Sequence, residues 1–502
     1  MTWALILLSA ISLVELTVWL KPFWAYRKWS ASIILILLSI FSGMLIGSKL
    51  NIWAVLIGFA SLYRVVNLLR LVEGRTPAVY LRKVSRRTSL KLIGFQLALG
   101  ACWWALSSSG VTTKVYITII TSISLCALAL LSLSLQKNSR RANIKTNHLH
   151  YAAKDLPSIS VLIPARNETE DLEICLSSLV ACKYPKLEIL VLDDCSQNKR
   201  TPEIIKGFAQ AGVRFIAGKM PPESWLAKNY AYQQLADQAS GDILIFAGVD
   251  TRFSELSLNY LIETMLDKKI LMASIMPLNI YKGKHGSLRY LFQPVRYAWE
   301  LALPRLFSNR RPLLSTCWII YKERLYAYGD FKAVSRSINP ELYFANKAAE
   351  TNKYGFLRTN KDIGVVSEKS ISEQRATAIR TRYPKLHRRI ELVLAYSITE
   401  LLIFIFPLFA FIWSMLEADY IVLSLSLLIV ILTSLMYEYI CRITYSRFSF
   451  GSLFIWPAVA ITDVLVLNSS MWQYEFSEVL WKGRNVCLPV MQFSPLDQES
   501  RH

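Results

Sequence analysis

The sequence predicts an α/β domain with a largely parallel sheet, inserted between two groups of membrane-spanning helices. Short apolar runs alternate with helical patterns between residues 157 and 251, as in βαβ units. Long apolar segments lie on both sides of this stretch, and 53% of the 502 residues are hydrophobic. Polar residues follow the apolar runs, and open α/β sheets bind ligands at the carboxyl ends of their strands. We therefore expect a ligand-binding domain held at a membrane.

The hydropathy pattern divides the chain into four parts. We expect about five membrane helices over 1–150, the α/β domain over 151–390, two to three membrane helices over 391–470, and a tail over 471–502. Seven to nine spans are compatible with this pattern. The apolar segments lie near 2–20, 31–48, 52–71, 91–107, 115–135, 393–415, 420–440 and 451–469.

The third segment contains two polar residues, Arg64 and Asn67. One interpretation is an amphipathic stretch at the membrane interface, and the other is a functional charge inside the membrane. The sequence alone leaves both interpretations open.

The net charge of +21 is concentrated near the N-terminus, where the first 150 residues contain 17 Lys and Arg but only two acids. These cations alternate between loops, and the positive-inside rule then predicts an integral, multi-pass protein of a bacterial-type cell membrane with a cytoplasmic α/β domain. Basic loops of this kind fit an anionic lipid surface as partner, and their location argues against nucleic-acid binding. The eight cysteines are scattered, without zinc-site spacing or a disulfide framework.

Within the α/β domain, the apolar runs predict strands near 159–163, 187–192, 213–217 and 242–247. We expect Asn167 to cap a first helix, with Glu170 three residues later as the acid of a capping box. A second helix is predicted over 226–239. The chain has no G-x-G-x-x-G, P-loop or G-x-S-x-G motif, which excludes the common dinucleotide, P-loop and hydrolase-elbow sites.

Charged residues at the predicted strand ends are candidates for ligand binding. Asp193 and Asp194 follow the second strand, and such carboxylates either accept hydrogen bonds from a base or ribose or cap a turn. Arg166 and Lys228 either meet a diphosphate or are solvated surface charges. Asp250 either holds Mg²⁺ or Mn²⁺, which prefer oxygen ligands, or caps the following helix.

Six short motifs follow one another along the chain: PARNE (164–168), VLDDCS (191–196), PPESWLAKN (221–229), EQ (373–374), RTRYP (380–384) and WKGR (481–484). In this order, they resemble the family 2 glycosyltransferases, whose GT-A fold is a Rossmann-like nucleotide-diphospho-sugar transferase domain. The resemblance covers about 157–390 well and the C-terminal membrane part loosely. Within the family, the motifs resemble those of a membrane-embedded subgroup that glycosylates carotenoid and hopanoid lipids.

The resemblance implies a role for individual residues. Glu341 would be the general base that deprotonates the acceptor hydroxyl, in an inverting transfer from a nucleotide sugar, expected to be a UDP-sugar, to a membrane lipid. Asp250 would hold the divalent metal, and Trp225, Gln374 and Arg380 would line an acceptor or diphosphate channel. The nucleotide sugar itself would contact Pro164, Arg166, Glu168, Asp193, Asp194, Lys228 and Val249.

Among the departures from the family pattern, two concern the metal and the catalytic base. The first Asp of the metal-binding DxD motif is Gly248, and the acidic pair at the base position is Pro340-Glu341. The basic residues 369–389 before the sixth span also have a simpler interpretation, as a face on the membrane surface. Two other functions therefore stay open: a processive polysaccharide synthase, and a catalytically inactive scaffold that binds nucleotide sugars.

Overall fold

A computed structural model describes residues 2–47, 52–73, 78–109, 112–144, 149–281, 288–302 and 311–487. Five helices precede the α/β domain, and their lengths follow from the apolar segments of the sequence. They are α1 (Thr2–Val18), α2 (Arg27–Gly47), α3 (Ile52–Glu73), α4 (Ala78–Ser108) and α5 (Thr113–Ala142).

The α/β domain begins with strands that are apolar on both faces, as expected for a sheet covered by helices. Its first half contains β1 (Ile159–Ala165), α6 (Glu170–Val180), β2 (Leu187–Asp193), α7 (Arg200–Gly207), β3 (Val213–Ala217), α8 (Ala227–Gln238), β4 (Ile243–Ala247), β5 (Thr251–Arg252) and α9 (Ser257–Asp267). Its second half contains β6 (Met272–Met276), β7 (Leu278–Tyr281), α10 (Gln293–Leu301), β8 (Cys317–Tyr321), α11 (Lys322–Ala327), α12 (Pro340–Glu350), β9 (Tyr354–Arg358), β10 (Val366–Lys369) and α13 (Ile371–Lys385).

The main sheet has seven strands in the order β3-β2-β1-β4-β8-β6-β9. Only β8 runs antiparallel to its neighbours, so the sheet is largely parallel, as the βαβ pattern predicts. A smaller sheet, β5-β10-β7, lies beside the carboxyl end of β4. This mixed α/β architecture confirms the predicted fold class.

The first helix of the domain begins later than predicted. Asn167 does not cap it, because its backbone is left-handed (φ 51°) and its side chain accepts a hydrogen bond from the Gln197 amide at 2.8 Å. Thr169 is the residue before the first turn, and α6 starts at Glu170. Asp250 likewise caps no helix, since α9 starts only at Ser257. The Asn167 amide and the Asp250 carboxylate therefore lie in loops at strand ends and not at helix N-termini.

The last apolar helices follow α13. They are α14 (Ile390–Glu400), which continues through a π-helical turn (Leu401–Ile405) into α15 (Phe406–Leu416), then α16 (Tyr420–Tyr445) and α17 (Ser452–Phe476). A short hairpin of β11 (Leu480–Trp481) and β12 (Arg484–Asn485) comes next. Among the described residues, seven helical segments are long and apolar enough to cross a membrane, and α1 is a shorter apolar helix. The chain therefore has the helices of a membrane protein.

The polar residues of α3 lie inside the helix bundle. Arg64 and Asn67 are fully buried, and the Arg64 guanidinium forms an ion pair with Glu15 of α1 at 2.6 Å. Asn67 donates to the Ser89 hydroxyl of α4 at 2.9 Å. Both side chains therefore join neighbouring helices of the bundle and do not form an exposed polar face.

Candidate functional site

A cavity of about 500 Å³ lies where β1 and β4 end, between the α/β domain, α13 and the β11–β12 hairpin. Parallel strands bring their carboxyl ends to one edge of the sheet, which explains why residues far apart in sequence meet there. Seven of the predicted site residues line this cavity. They are Pro164, Glu168, Trp225, Lys228, Val249, Asp250 and Arg380.

The other predicted residues do not line the cavity; they are Arg166, Asp193, Asp194, Glu341 and Gln374. Arg166 donates to the backbone carbonyls of Asp194 and Cys195, both at 2.6 Å, and so holds the loop after β2. Asp193 accepts from the Ser196 amide at 3.1 Å, which is a turn interaction. Gln374 is buried in α13 and donates to the Lys369 carbonyl at 3.1 Å.

Asp250 follows β4 directly and is held by the smaller sheet. Its Oδ2 accepts from the Ser367 hydroxyl at 2.7 Å and lies 3.3 Å from the Lys369 ammonium. Burial alone would raise the pKa of Asp250, but the charge of Lys369 and the Ser367 hydrogen bond outweigh it and lower that pKa. Asp250 is therefore a carboxylate at neutral pH.

Three cations line the cavity, Lys228, Lys369 and Arg380, and a fourth, Arg296, lies near Lys228. Burial lowers the pKa of Lys228, Glu341 opposes this, and the other three cations lower it further by repulsion. Burial also lowers the pKa of Arg380, to about 10. Among the described residues, no carboxylate lies within ion-pair distance of Lys228 or Arg380. Such a concentration of positive charge fits a polyanionic ligand.

Glu341 lies at the start of α12 and is completely buried. Neither of its carboxylate oxygens has a hydrogen-bond partner among the described residues. Burial raises the pKa of Glu341 above its ordinary value of 4.5, and the nearby Lys228 opposes that rise. A buried carboxylate without partners is costly to keep, so it commonly marks a functional group.

Two cations of this cluster were missed or assigned elsewhere by the sequence analysis. Lys369 belongs to the basic residues interpreted as a membrane-surface face, but it lies on β10 and points to Asp250. The alternation of Ser367 and Lys369 on one face of a strand was the available signal. Arg296 of α10 is buried, and its Nε and Nη1 atoms lack partners in the described part of the chain. In the sequence, the only indication of Arg296 was its place in an amphipathic helix.

The residues that line the cavity offer few ligands to a divalent metal. Among the described residues, no group of three or more His, Cys, Asp or Glu side chains is placed to hold a metal ion. Asp250 nevertheless offers Oδ1, and a Cβ on Gly248 would lie only 2.6 Å from that oxygen. Gly248, at the position of the first Asp of the DxD motif, has no side chain and so leaves space beside the ionised Asp250 carboxylate. Mg²⁺ often needs only one or two carboxylates plus substrate phosphates.

Residues 160–329 match the family described as glycosyl transferase family 2. The chain therefore carries a family 2 glycosyltransferase domain, and the predicted family resemblance is confirmed.

Individual relatives match over shorter stretches. The chain is 32% identical over 118 residues to "Probable glycosyltransferase YdaM" of Bacillus subtilis, covering 23% of this chain and 28% of that protein. It is 33% identical over 137 residues to a "4,4'-diaponeurosporenoate glycosyltransferase" of Staphylococcus haemolyticus, covering 27% of this chain and 36% of that protein. These alignments span about a third of each relative's length.

The mannosyltransferase PcManGT of Pyrobaculum calidifontis, solved with GDP-Man and Mn²⁺, is a structural neighbour with a TM-score of 0.42. It is 14% identical and covers 71% of this chain and 99% of its own.

Proposed function

We propose that this protein transfers a sugar from a nucleotide-sugar donor, a UDP-sugar, to a membrane lipid. The observation that carries the proposal is the arrangement at the cavity: Lys228 and Arg380 line it without carboxylate partners among the described residues, and the buried, unpartnered Glu341 lies near Lys228. Cations of this kind stabilise a diphosphate, and a carboxylate with a raised pKa is suited to accept a proton.

In this mechanism, Glu341 removes the proton from the acceptor hydroxyl. The acceptor oxygen then forms a bond to the anomeric carbon while the bond from that carbon to the diphosphate breaks, which inverts the configuration. Lys228 and Arg380 neutralise the charge that develops on the leaving nucleoside diphosphate. Asp194, Arg166 and Glu168 are assigned to the nucleotide end of the same site.

A membrane lipid is proposed as the acceptor because one wall of the cavity is the β11–β12 hairpin, which follows the last apolar helix directly and packs against α3 and α17. Its rim includes Leu480, which is 59% exposed, and Trp225. Among the relatives, the name 4,4'-diaponeurosporenoate glycosyltransferase also supports an apolar acceptor. We place the α/β domain in the cytoplasm, on the side of the basic loops, where soluble nucleotide sugars are available.

A divalent metal would be held by Asp250 together with the donor phosphates. When bound, Mg²⁺ or Mn²⁺ would supply further neutralisation of the leaving diphosphate. Lys369 already places a positive charge beside this carboxylate, so we expect the metal to enhance the reaction to a smaller extent than in a site with two Asp residues.

The test is transfer from UDP-sugars by the purified full-length protein in detergent, with and without lipid extract. The proposal predicts release of UDP that increases with added lipid and a glycolipid of one added sugar. A polymer product would favour the processive polysaccharide synthase. Absence of release with several nucleotide sugars, together with measurable binding, would favour the inactive scaffold.

A further inference from the structure

The β11–β12 hairpin forms the wall of the cavity at its nucleotide end. Its base is anchored in a hydrophobic cluster with α3, α13 and α17, where Val479, Val486 and Cys487 are buried. The residues between them, including Lys482 and Arg484, line the cavity. The hairpin is thus fixed by the helices next to the membrane, while its tip reaches into the α/β domain.

The tip contacts the nucleotide-end residues directly. The Lys482 ammonium lies 2.8 Å from Glu168 Oε1, and Arg484 Nη1 lies 2.7 Å from Asp194 Oδ2. Arg166 Nε also donates to the Lys482 carbonyl at 3.1 Å. All three partners are residues that the family motifs assign to the nucleotide pocket, so the hairpin cations now lie where those side chains would meet a ligand.

The turn of the hairpin does not explain why a lysine is present. Trp481 pairs with Arg484, which leaves a two-residue loop, and both loop residues have positive φ: 49° at Lys482 and 76° at Gly483. Such loops favour Asn-Gly or Asp-Gly. A lysine is disfavoured in the left-handed region relative to a right-handed conformation. Its charge, rather than its backbone preference, is therefore the useful property at this position.

We propose that Lys482 and Arg484 bind the diphosphate of the nucleotide-sugar donor. In the protein without donor, their charges are balanced by Glu168 and Asp194. When the donor enters, its phosphates replace the carboxylates as partners of the two cations, and the freed carboxylates accept hydrogen bonds from the nucleoside. Guanidinium and ammonium groups are the usual protein partners of phosphate. This inference rests on the proposed function and adds a binding element to it.

The role of the two cations is tested by calorimetry, which measures binding of UDP and of UMP to the full-length protein in detergent. We expect Lys482→Asn and Arg484→Ala each to weaken UDP binding at least tenfold, since one charged hydrogen bond contributes about 1.5–3 kcal/mol. UMP, which lacks the second phosphate, should lose less affinity. Lys482→Asn is informative because Asn-Gly suits the turn, so its melting temperature should not fall.

The matched control is Glu478→Gln, which changes the charge of an exposed residue near the base of the hairpin. It should bind UDP as the wild type does. Variants that bind UDP within twofold of the wild type, or that lose UDP and UMP affinity equally, would overturn the role of the hairpin cations while leaving the transferase intact. A wild-type protein that binds no nucleoside diphosphate would instead overturn the proposed function, and this inference with it.

Discussion

The buried charges of the helix bundle and those of the cavity are arranged in opposite ways. In the bundle, all three guanidinium nitrogens of Arg64 donate hydrogen bonds, two to Glu15 and one to Gln96. Beside the cavity, Glu341 is equally buried, but neither of its oxygens has a partner among the described residues, and two nitrogens of Arg296 also lack one there. Paired charges of the first kind hold helices together, whereas unpaired charges of the second kind are available to a ligand. The same residue types therefore serve structure in one region and chemistry in the other.

The largest expected effect comes from removing the unpaired carboxylate. Glu341→Gln should lower kcat by a factor of about 10²–10⁴, because the acceptor hydroxyl loses its base while the packing of α12 is kept. Steady-state transfer and UDP binding are the measurements, and UDP affinity should change little. Glu350→Gln, at the exposed end of the same helix, is the control and should keep full activity. Wild-type turnover in Glu341→Gln would remove this residue as the base.

Breaking the paired charge should affect stability instead. Arg64→Leu leaves Glu15 buried without its cation, which typically costs about 3–5 kcal/mol. Thermal unfolding in detergent would measure the loss, and kcat of the remaining folded protein should be unchanged. The double variant Arg64→Leu/Glu15→Leu removes both charges and should recover most of the stability. If it is no more stable than Arg64→Leu, the pair is not the main interaction at this position.

Removing an unpaired cation from the cavity should weaken binding of the nucleotide-sugar donor. Lys228→Met is expected to raise the KM for the nucleotide sugar by about tenfold to hundredfold, since a charged hydrogen bond to the diphosphate is lost. Lys347→Met, which removes an exposed charge of α12, is the matched control. An equal change in both variants would attribute the effect to net charge rather than to the cavity.

The pH dependence of activity should report the ionisation of Glu341 and that of Lys228. Because Glu341 acts as a base only when deprotonated and its pKa is raised above 4.5, kcat should fall at a higher pH than for an ordinary glutamate. Because Lys228 must be protonated to bind phosphate and its pKa is lowered from 10.5, donor affinity should decrease at a lower pH than for an exposed lysine. A profile of kcat/KM against pH measures both limbs, and Glu341→Gln should lack the acid limb.

The smallest expected effect is that of chelation. Removing divalent metal with EDTA should lower kcat by about tenfold, or about 1.4 kcal/mol, because Lys369 already balances part of the charge at Asp250. Restoration by Mn²⁺ in the wild type but not in Asp250→Asn would assign the metal to this carboxylate. A rate that is insensitive to EDTA would mean that the cations suffice.

The strands of the sheet could be predicted because their apolar runs are local and continuous. The prediction of 213–217, for example, coincides with β3 (Val213–Ala217). The environment of Asp250 could not be predicted, since Lys369 meets it only through the pairing of β10 with β5. The contact of Arg484 with Asp194 joins residues 290 positions apart, and no local pattern announces it. Pairings of this kind depend on how whole elements pack, so the sequence predicted the candidate residues but not their partners.

The position of the β11–β12 hairpin also has a consequence for how the protein is made. One wall of the cavity precedes the helices α14–α17 in the chain, and the opposite wall follows them. The cavity is therefore complete only after these helices have been synthesised and packed. A chain whose last apolar helix failed to pack would lack an intact cavity, so correct assembly of the helices is a precondition built into the order of the chain.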